Sequence, residues 1–313
     1  MRARVGRLGR ALRHRNYRLF VAGQSLSLIG TWITRFATSW MAYRLTGSAF
    51  VLGLVAFCGH APTTVIAPIA GVLVDRWDRH RVIVLTQVAA MVQSAALAAL
   101  ALTGTMTVWL LMALGALQGV INAFDMPARQ SFVRQMIEDP ADLPNAIALN
   151  SSLVNLAKLV GPAIAAVLVA TVGEGWCFAL DAASYLAVIG SLLAMRVPRQ
   201  VLRVRDASVL AELRAGLRYA AGVPIVRSVL VLMALSSVLG GAYGALLPVV
   251  AAEELSGGPY TLGILMSAAG LGALTGALYL ASRTTIVGLG RVIGQCAFGL
   301  GLGLVLLELA SSV

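Results

Sequence analysis

From Leu19 onward the chain alternates long apolar runs with short polar connectors, and nine runs are long enough to cross a bilayer: 19–43, 49–74, 82–103, 106–128, 145–171, 176–195, 226–250, 259–282 and 289–310. A membrane helix needs about 20 mainly apolar residues, because each residue rises about 1.5 Å through a hydrocarbon layer about 30 Å thick. Inside that layer each segment must satisfy its own backbone hydrogen bonds, so runs of this length predict helices and not open sheet. The expected fold class is an all-α membrane protein with about nine transmembrane helices. The pattern divides the chain into a basic N-terminus (1–18), a six-helix bundle (19–195), a basic linker (196–224) and a three-helix partial bundle (225–313). Residues 1–18 are too basic, and the run after them too long, for an ordinary cleaved signal peptide, so the first run is expected to remain in the mature chain.

The polar connectors carry their own patterns. Within the linker, LAELRAGLRYA has helical spacing and is expected to lie along the membrane surface. The stretch 44–53, RLTGSAFVLG, aligns without gaps with 254–263, ELSGGPYTLG, pairing Leu45 with Leu255, Gly47 with Gly257, Leu52 with Leu262 and Gly53 with Gly263. Each copy stands just before an even-numbered run, as parallel halves built from three-helix units would show. Three such units are legible and a fourth is not, which leaves two readings: a truncated chain, or a natural variant that takes its remaining helices from a partner chain.

Composition agrees with lipid as the solvent: 59% of residues are hydrophobic and 12% charged. Of the 24 Lys and Arg, 21 fall in the N-terminus, the linker and alternate connectors. The positive-inside rule makes that side cytoplasmic and predicts a multi-pass plasma (inner) membrane protein with its N-terminus inside. Glu174, Glu253, Glu254 and Glu308 mark the other side. The net charge of +11 is thus a topology signal with some attraction to anionic lipid, and nucleic acid is not an expected partner. Arginine outnumbers lysine 23 to 1, which points to a GC-rich bacterium. Cys58, Cys177 and Cys296 all lie in apolar runs and are expected as buried thiols. No GxxxxGK[ST] loop and no His/Cys cluster of metal-ligand spacing occurs, so no enzyme, cofactor or metal is expected and ATP is not the expected energy source.

Between the second and third runs, residues 71–81 read GVLVDRWDRHR. This resembles the signature loop of major facilitator superfamily transporters, with Gly71, Asp75, Arg76, Arg79 and Arg81 at the positions of that motif. The segments 124–133, 143–168, 178–186 and 247–278 are similar to the branch that includes enterobactin exporters and transmembrane secretion effectors. The resemblance implies efflux of a small molecule, siderophore-like or drug-like, by alternating access, with proton-coupled antiport. It also implies that the loop charges hold one closed state, Asp125 pairing with Arg76 or Arg79 and Arg129 standing at the same end. Charges of this kind also fix topology in any membrane protein.

In the fifth run Ser151, Asn155, Lys158 and Pro162 share one helical face, and Gly161-Pro162 resembles the core of an antiporter motif whose flanking glycines are here replaced by alanines. The pair is expected to bend the helix and let a neighbour approach closely. Gly270, Gly272 and Gly276 form a small-residue pattern suited to tight helix contact. Ionisable residues far inside a bilayer face a cavity or a partner. Arg35, His60, Asn155 and Lys158 are therefore candidate substrate or coupling residues, and the two central cations suit an anionic cargo. In the fold that the resemblance implies, Asp181 stands in a peripheral helix and reads as packing or a polar clamp, and no carboxylate stands out as the proton carrier. The competing reading is a transport-inactive relative that serves as an assembly partner.

Overall fold

The computed structural model describes residues 10–197 and 209–282, together with 288, 290, 292, 294–296, 298–299 and 301–303. Arg2, Arg4, Arg7, Arg199, Arg203, Arg205, Arg283, Arg291, Glu308 and most of the ninth apolar run lie outside the described residues. Among the described residues up to Ser282, a short 3-10 turn, Arg10–Arg13, leads into nine α-helices: α1 Arg15–Thr46, α2 Ala49–Arg76, α3 Arg79–Leu102, α4 Val108–Met136, α5 Leu143–Thr171, α6 Glu174–Leu193, α7 Val209–Gly222, α8 Pro224–Val249 and α9 Pro259–Ser282. A π-turn, Val250–Glu254, follows α8. No strand occurs among the described residues.

Helices α2 to α6 and α9 are each long and apolar enough to cross a membrane, and α7 with the first half of α8, bent by 95°, would pass together as a seventh span. α1 has ample length, 32 residues, but carries Gln24, Arg35 and several hydroxyls along it. That polarity belongs to a helix whose faces meet α5 and α6 more than lipid.

The connectors start and stop the helices by local hydrogen bonding. Ser48, Asp78 and Thr107 each accept a backbone N–H three residues on, at 3.4, 3.2 and 3.3 Å. Such caps satisfy donors that the first helical turn leaves open. Gly47 ends α1 at φ +58°, its N–H bonded to the Tyr43 carbonyl at 2.7 Å, a left-handed stop that suits glycine.

α1 and α3 flank α6, α2 packs along α4, and α5 lies between α1 and α9. Two large apolar clusters and a small third one, Ala90, Ile121 and Tyr185, hold the bundle. One, at the end where α1 meets α2, joins Phe36, Met41, Leu52, Leu111, Ala165 and Phe178 to Leu247, Ala251 and Leu262, so it spans both parts of the chain. Leu52 and Leu262, the paired leucines of the internal repeat, both belong to it. The other, at the opposite end, contains only residues up to Met195, among them Tyr17, Phe20, Val74 and Phe132. Cys58 is half-buried and Cys177 buried, as expected, but Cys296 is exposed. A side chain that faces acyl chains is out of water without being covered by protein.

Candidate functional site

The connector between α2 and α3 sits at the end that holds the N-terminus of α1. Arg79 donates to Asp75 at 3.1 Å one helical turn back, and Arg76 reaches Glu212 on α7 at 3.2 Å. Arg81 is exposed, 3.9 Å from Asp78. Gly71 has nothing within 4 Å of the point where a side chain would begin. The expected pairing of Asp125 with Arg76 or Arg79 is not formed. Asp125, 5% exposed, is paired with Arg129 of its own helix and accepts from Thr86 Oγ1 at 2.9 Å and Gln87 Nε2 at 2.8 Å. An arginine four residues on shares the helix face, so it reaches the carboxylate without ordering a second segment.

The central cations converge. Arg35 Cζ lies 4.8 Å and Lys158 Nζ 5.6 Å from the centroid of the Trp32 ring. Cations over an indole face are attracted by its quadrupole. Neither cation meets a carboxylate among the described residues within 4.0 Å. Glycine makes this approach possible: a Cβ on Gly161 would fall 2.5 Å from Trp32 Cβ and 3.3 Å from the Ile29 carbonyl. On the far side of α5, a Cβ on Gly270 would meet the Lys158 carbonyl at 2.6 Å, so α9 packs backbone to backbone against the same turn. Gly272 and Gly276 have no such neighbour, and only Gly270 of that triplet makes a tight contact. Asn155 donates to the Ser151 carbonyl at 2.9 Å, one turn before Lys158. His60 is exposed on α2, hydrogen-bonded to the Ala56 carbonyl at 2.9 Å, and is not brought to the tryptophan.

Asp181 is 2% exposed between α1, α3 and α6, where Thr34 and Ser94 both donate to its Oδ2 at 2.9 Å. At the end away from the signature connector, Arg44 makes a two-pronged pair with Glu174, 2.9 and 3.1 Å, and Tyr43 donates to Glu253 at 3.2 Å. The Tyr43 bond links α1 to the π-turn after α8. With the shared apolar cluster, it ties α1 to the second part of the chain at this end, and at the end near Arg76 the pair with Glu212 ties α2 to α7.

Residues 10–313 match the model of the transmembrane secretion effector family. The chain belongs to this family of the major facilitator superfamily. Curated relatives include the staphyloferrin A transporter of Staphylococcus aureus, 25% identical over 287 residues that cover 91% of this chain and 72% of that protein. Macrolide efflux protein A of Streptococcus pyogenes is 26% identical, covering 83% and 64%. The multidrug efflux pump Tap of Mycolicibacterium fortuitum is 27% identical, covering 82% and 66%. The chain thus spans between 64% and 72% of the length of these relatives. As a member of the transmembrane secretion effectors it is a multi-pass membrane protein related to transporters, not to enzymes.

In this secretion effector the sequence reading passed over three groups that the fold assembles. Trp32 joins Arg35 and Lys158, and only contact between α1 and α5 reveals it. The pair Arg44–Glu174 bridges residues 130 apart. At the other end Asp142 holds Arg10 at 3.0 Å and His14 at 3.2 Å, while Tyr17 donates to the Ala146 carbonyl at 2.7 Å. The entry to α1 is thereby clamped to the start of α5. A signal for the last was the acidic turn 138–142, set among arginine-rich connectors on one face. Among the described residues, no three His, Cys, Asp or Glu side chains converge as a metal site.

Proposed function

We propose that this chain acts as a secondary exporter that carries a small anionic compound outward by alternating access, coupled to inward proton movement. Support comes from the convergence of Arg35, Lys158 and Trp32 where α1, α5 and α9 meet, at the depth where transporters of this architecture hold substrate. Two cations without a carboxylate partner favour an anion, and the indole favours a flat or aromatic one. Gly161 and Gly270 let three helices close on the same point, so motion of either half would change the site directly. The arginine-rich end is assigned to the cytoplasm, in the inner membrane, by the positive-inside rule. The state described is then closed to the outside, ready to load cargo from within.

A deletion strain screened for sensitivity and accumulation, including under iron limitation, would supply the cargo. Arg35→Ala and Lys158→Ala, assayed for export of that compound, are each expected to cut uptake into inverted vesicles at least tenfold while membrane insertion stays normal. Unchanged export by both variants would remove the anion site.

A further inference from the structure

Asp181 is a carboxyl with no basic partner among the described residues, buried between α1, α3 and α6, and the hydrogen bonds around it are lopsided. Oδ2 accepts from Thr34 of α1 and from Ser94 of α3, both at 2.9 Å, whereas Oδ1 is buried with no partner among the described residues. Oδ1 lies against Gly30, where an added Cβ would stand 2.6 Å from it and 2.8 Å from Ser184 Oγ. Ser184 gives its own hydrogen to the Asp181 carbonyl at 2.7 Å, which leaves its oxygen lone pairs as acceptors beside Oδ1.

That arrangement fits a carboxylic acid. In the acid form one oxygen is a carbonyl, which accepts from two hydroxyls, and the other carries a hydrogen and needs an acceptor rather than a donor. A carboxylate would want donors on both oxygens, and one of them has none. Other titratable neighbours do not neutralise it. On α6 these are Cys177, Glu174 and Tyr185, of which Tyr185 interacts with it electrostatically. Arg35 is the next residue to Thr34 on α1 but turns toward Trp32. The stretch of α3 from Val82 to Leu102 holds no ionisable residue.

We propose that Asp181 is a proton-binding site and that the proton it takes up is the one coupled to export. This deepens the export reading and rests on its proton coupling. An O–H bond forms at Oδ1 with a proton from water on one face of the membrane and breaks to release that proton to water on the other; no other reactant is needed. The link to cargo is α1 itself. Thr34, half-buried, bonds the carboxyl, and the adjacent Arg35 reaches the Trp32 ring that Lys158 shares, so a shift of α1 that follows protonation changes where Arg35 stands. Whatever cargo does to Arg35 must then act back on the affinity for the proton by the same factor.

The test needs no known cargo. The full chain, with Cys58, Cys177 and Cys296 changed to alanine, is placed in liposomes and followed by infrared difference spectroscopy between mildly acidic and alkaline buffer. A protonated-carboxyl C=O band that titrates in this range is expected, and Asp181→Asn should abolish it while Asp125→Asn and Glu174→Gln leave it. In parallel, the pair Ala166→Cys and Gly263→Cys reports closure of the α5/α9 seam by cross-linking yield. That yield should depend on pH in the parent and lose the dependence in Asp181→Asn. Should Asp181→Asn fail to fold, Thr34→Val with Ser94→Ala keeps the carboxyl and is expected to move its C=O band to higher frequency. A band that ignores Asp181→Asn or never titrates, no shift in the Thr34/Ser94 variant, or a pH-dependent yield equal in parent and Asp181→Asn, overturns the assignment of Asp181. A yield indifferent to pH in the parent itself overturns the proton-coupled reading as well.

Discussion

Asp125 shows how a residue can be recognisable in sequence while its partner is not. Its place at the end of α4, and the arginines of the nearby connector, were visible along the chain; that neither Arg76 nor Arg79 of that connector but Arg129 would be its partner was not. Helical spacing decided it, because Arg129 lies one turn away on the same face and Thr86 and Gln87 on α3 complete the shell. Asp125→Ala would leave a guanidinium and two donors unmet in a mostly buried position, a loss on the order of 3 kcal/mol, in the range of a broken buried pair. Asp125→Asn keeps an acceptor for Thr86 and Gln87. Thermal unfolding in detergent is therefore expected to rank the parent above Asp125→Asn and Asp125→Asn above Asp125→Ala. An equal melting temperature for the two variants would mean that the hydrogen bonds from α3 contribute little.

Among the helices, α5 carries the most contacts of consequence. Its small residues at 161, 162, 165 and 166 are all buried, and they let α1 approach on one side and α9 on the other. Gly161→Leu is expected to insert normally, since it adds apolar surface, yet to push Trp32 away and abolish transport. Tryptophan fluorescence should report the displacement. Gly272→Leu is the matched control: nothing lies within 4 Å of its side-chain position, so transport should persist. The glycine pattern on α9 was legible in the sequence as a contact surface, but which glycine touches a neighbour depends on where α5 crosses it. Similarly, the helical spacing of 155, 158 and 162 placed Lys158 on a face without saying that the face meets Trp32.

Taken whole, the molecule is joined across its two parts at one end by an apolar cluster and the Tyr43–Glu253 bond, and at the other by the Arg76–Glu212 pair. Tyr43→Phe removes that bond and is expected to shift the balance toward the outward-open form, read as a lower cross-linking yield for the 166/263 cysteine pair. For orientation, Ala141→Cys between α4 and α5 is expected to react only with reagents that enter the cell, and Thr105→Cys between α3 and α4 with impermeant ones. Reversed labelling would reverse the direction of export. The sequence by itself determined the helical class, the succession of membrane runs, the family resemblance and the face that gathers arginine. These follow from local composition, because lipid forces each segment to satisfy its own backbone and each connector to carry its own charge. Only the tertiary structure decided which arginine Asp125 holds, that Trp32 draws Arg35 and Lys158 together, that Asp181 is enclosed by hydroxyls, and at which end an apolar cluster joins the two parts. Those depend on where helices distant in sequence cross, a matter of side-chain fit that no single run contains.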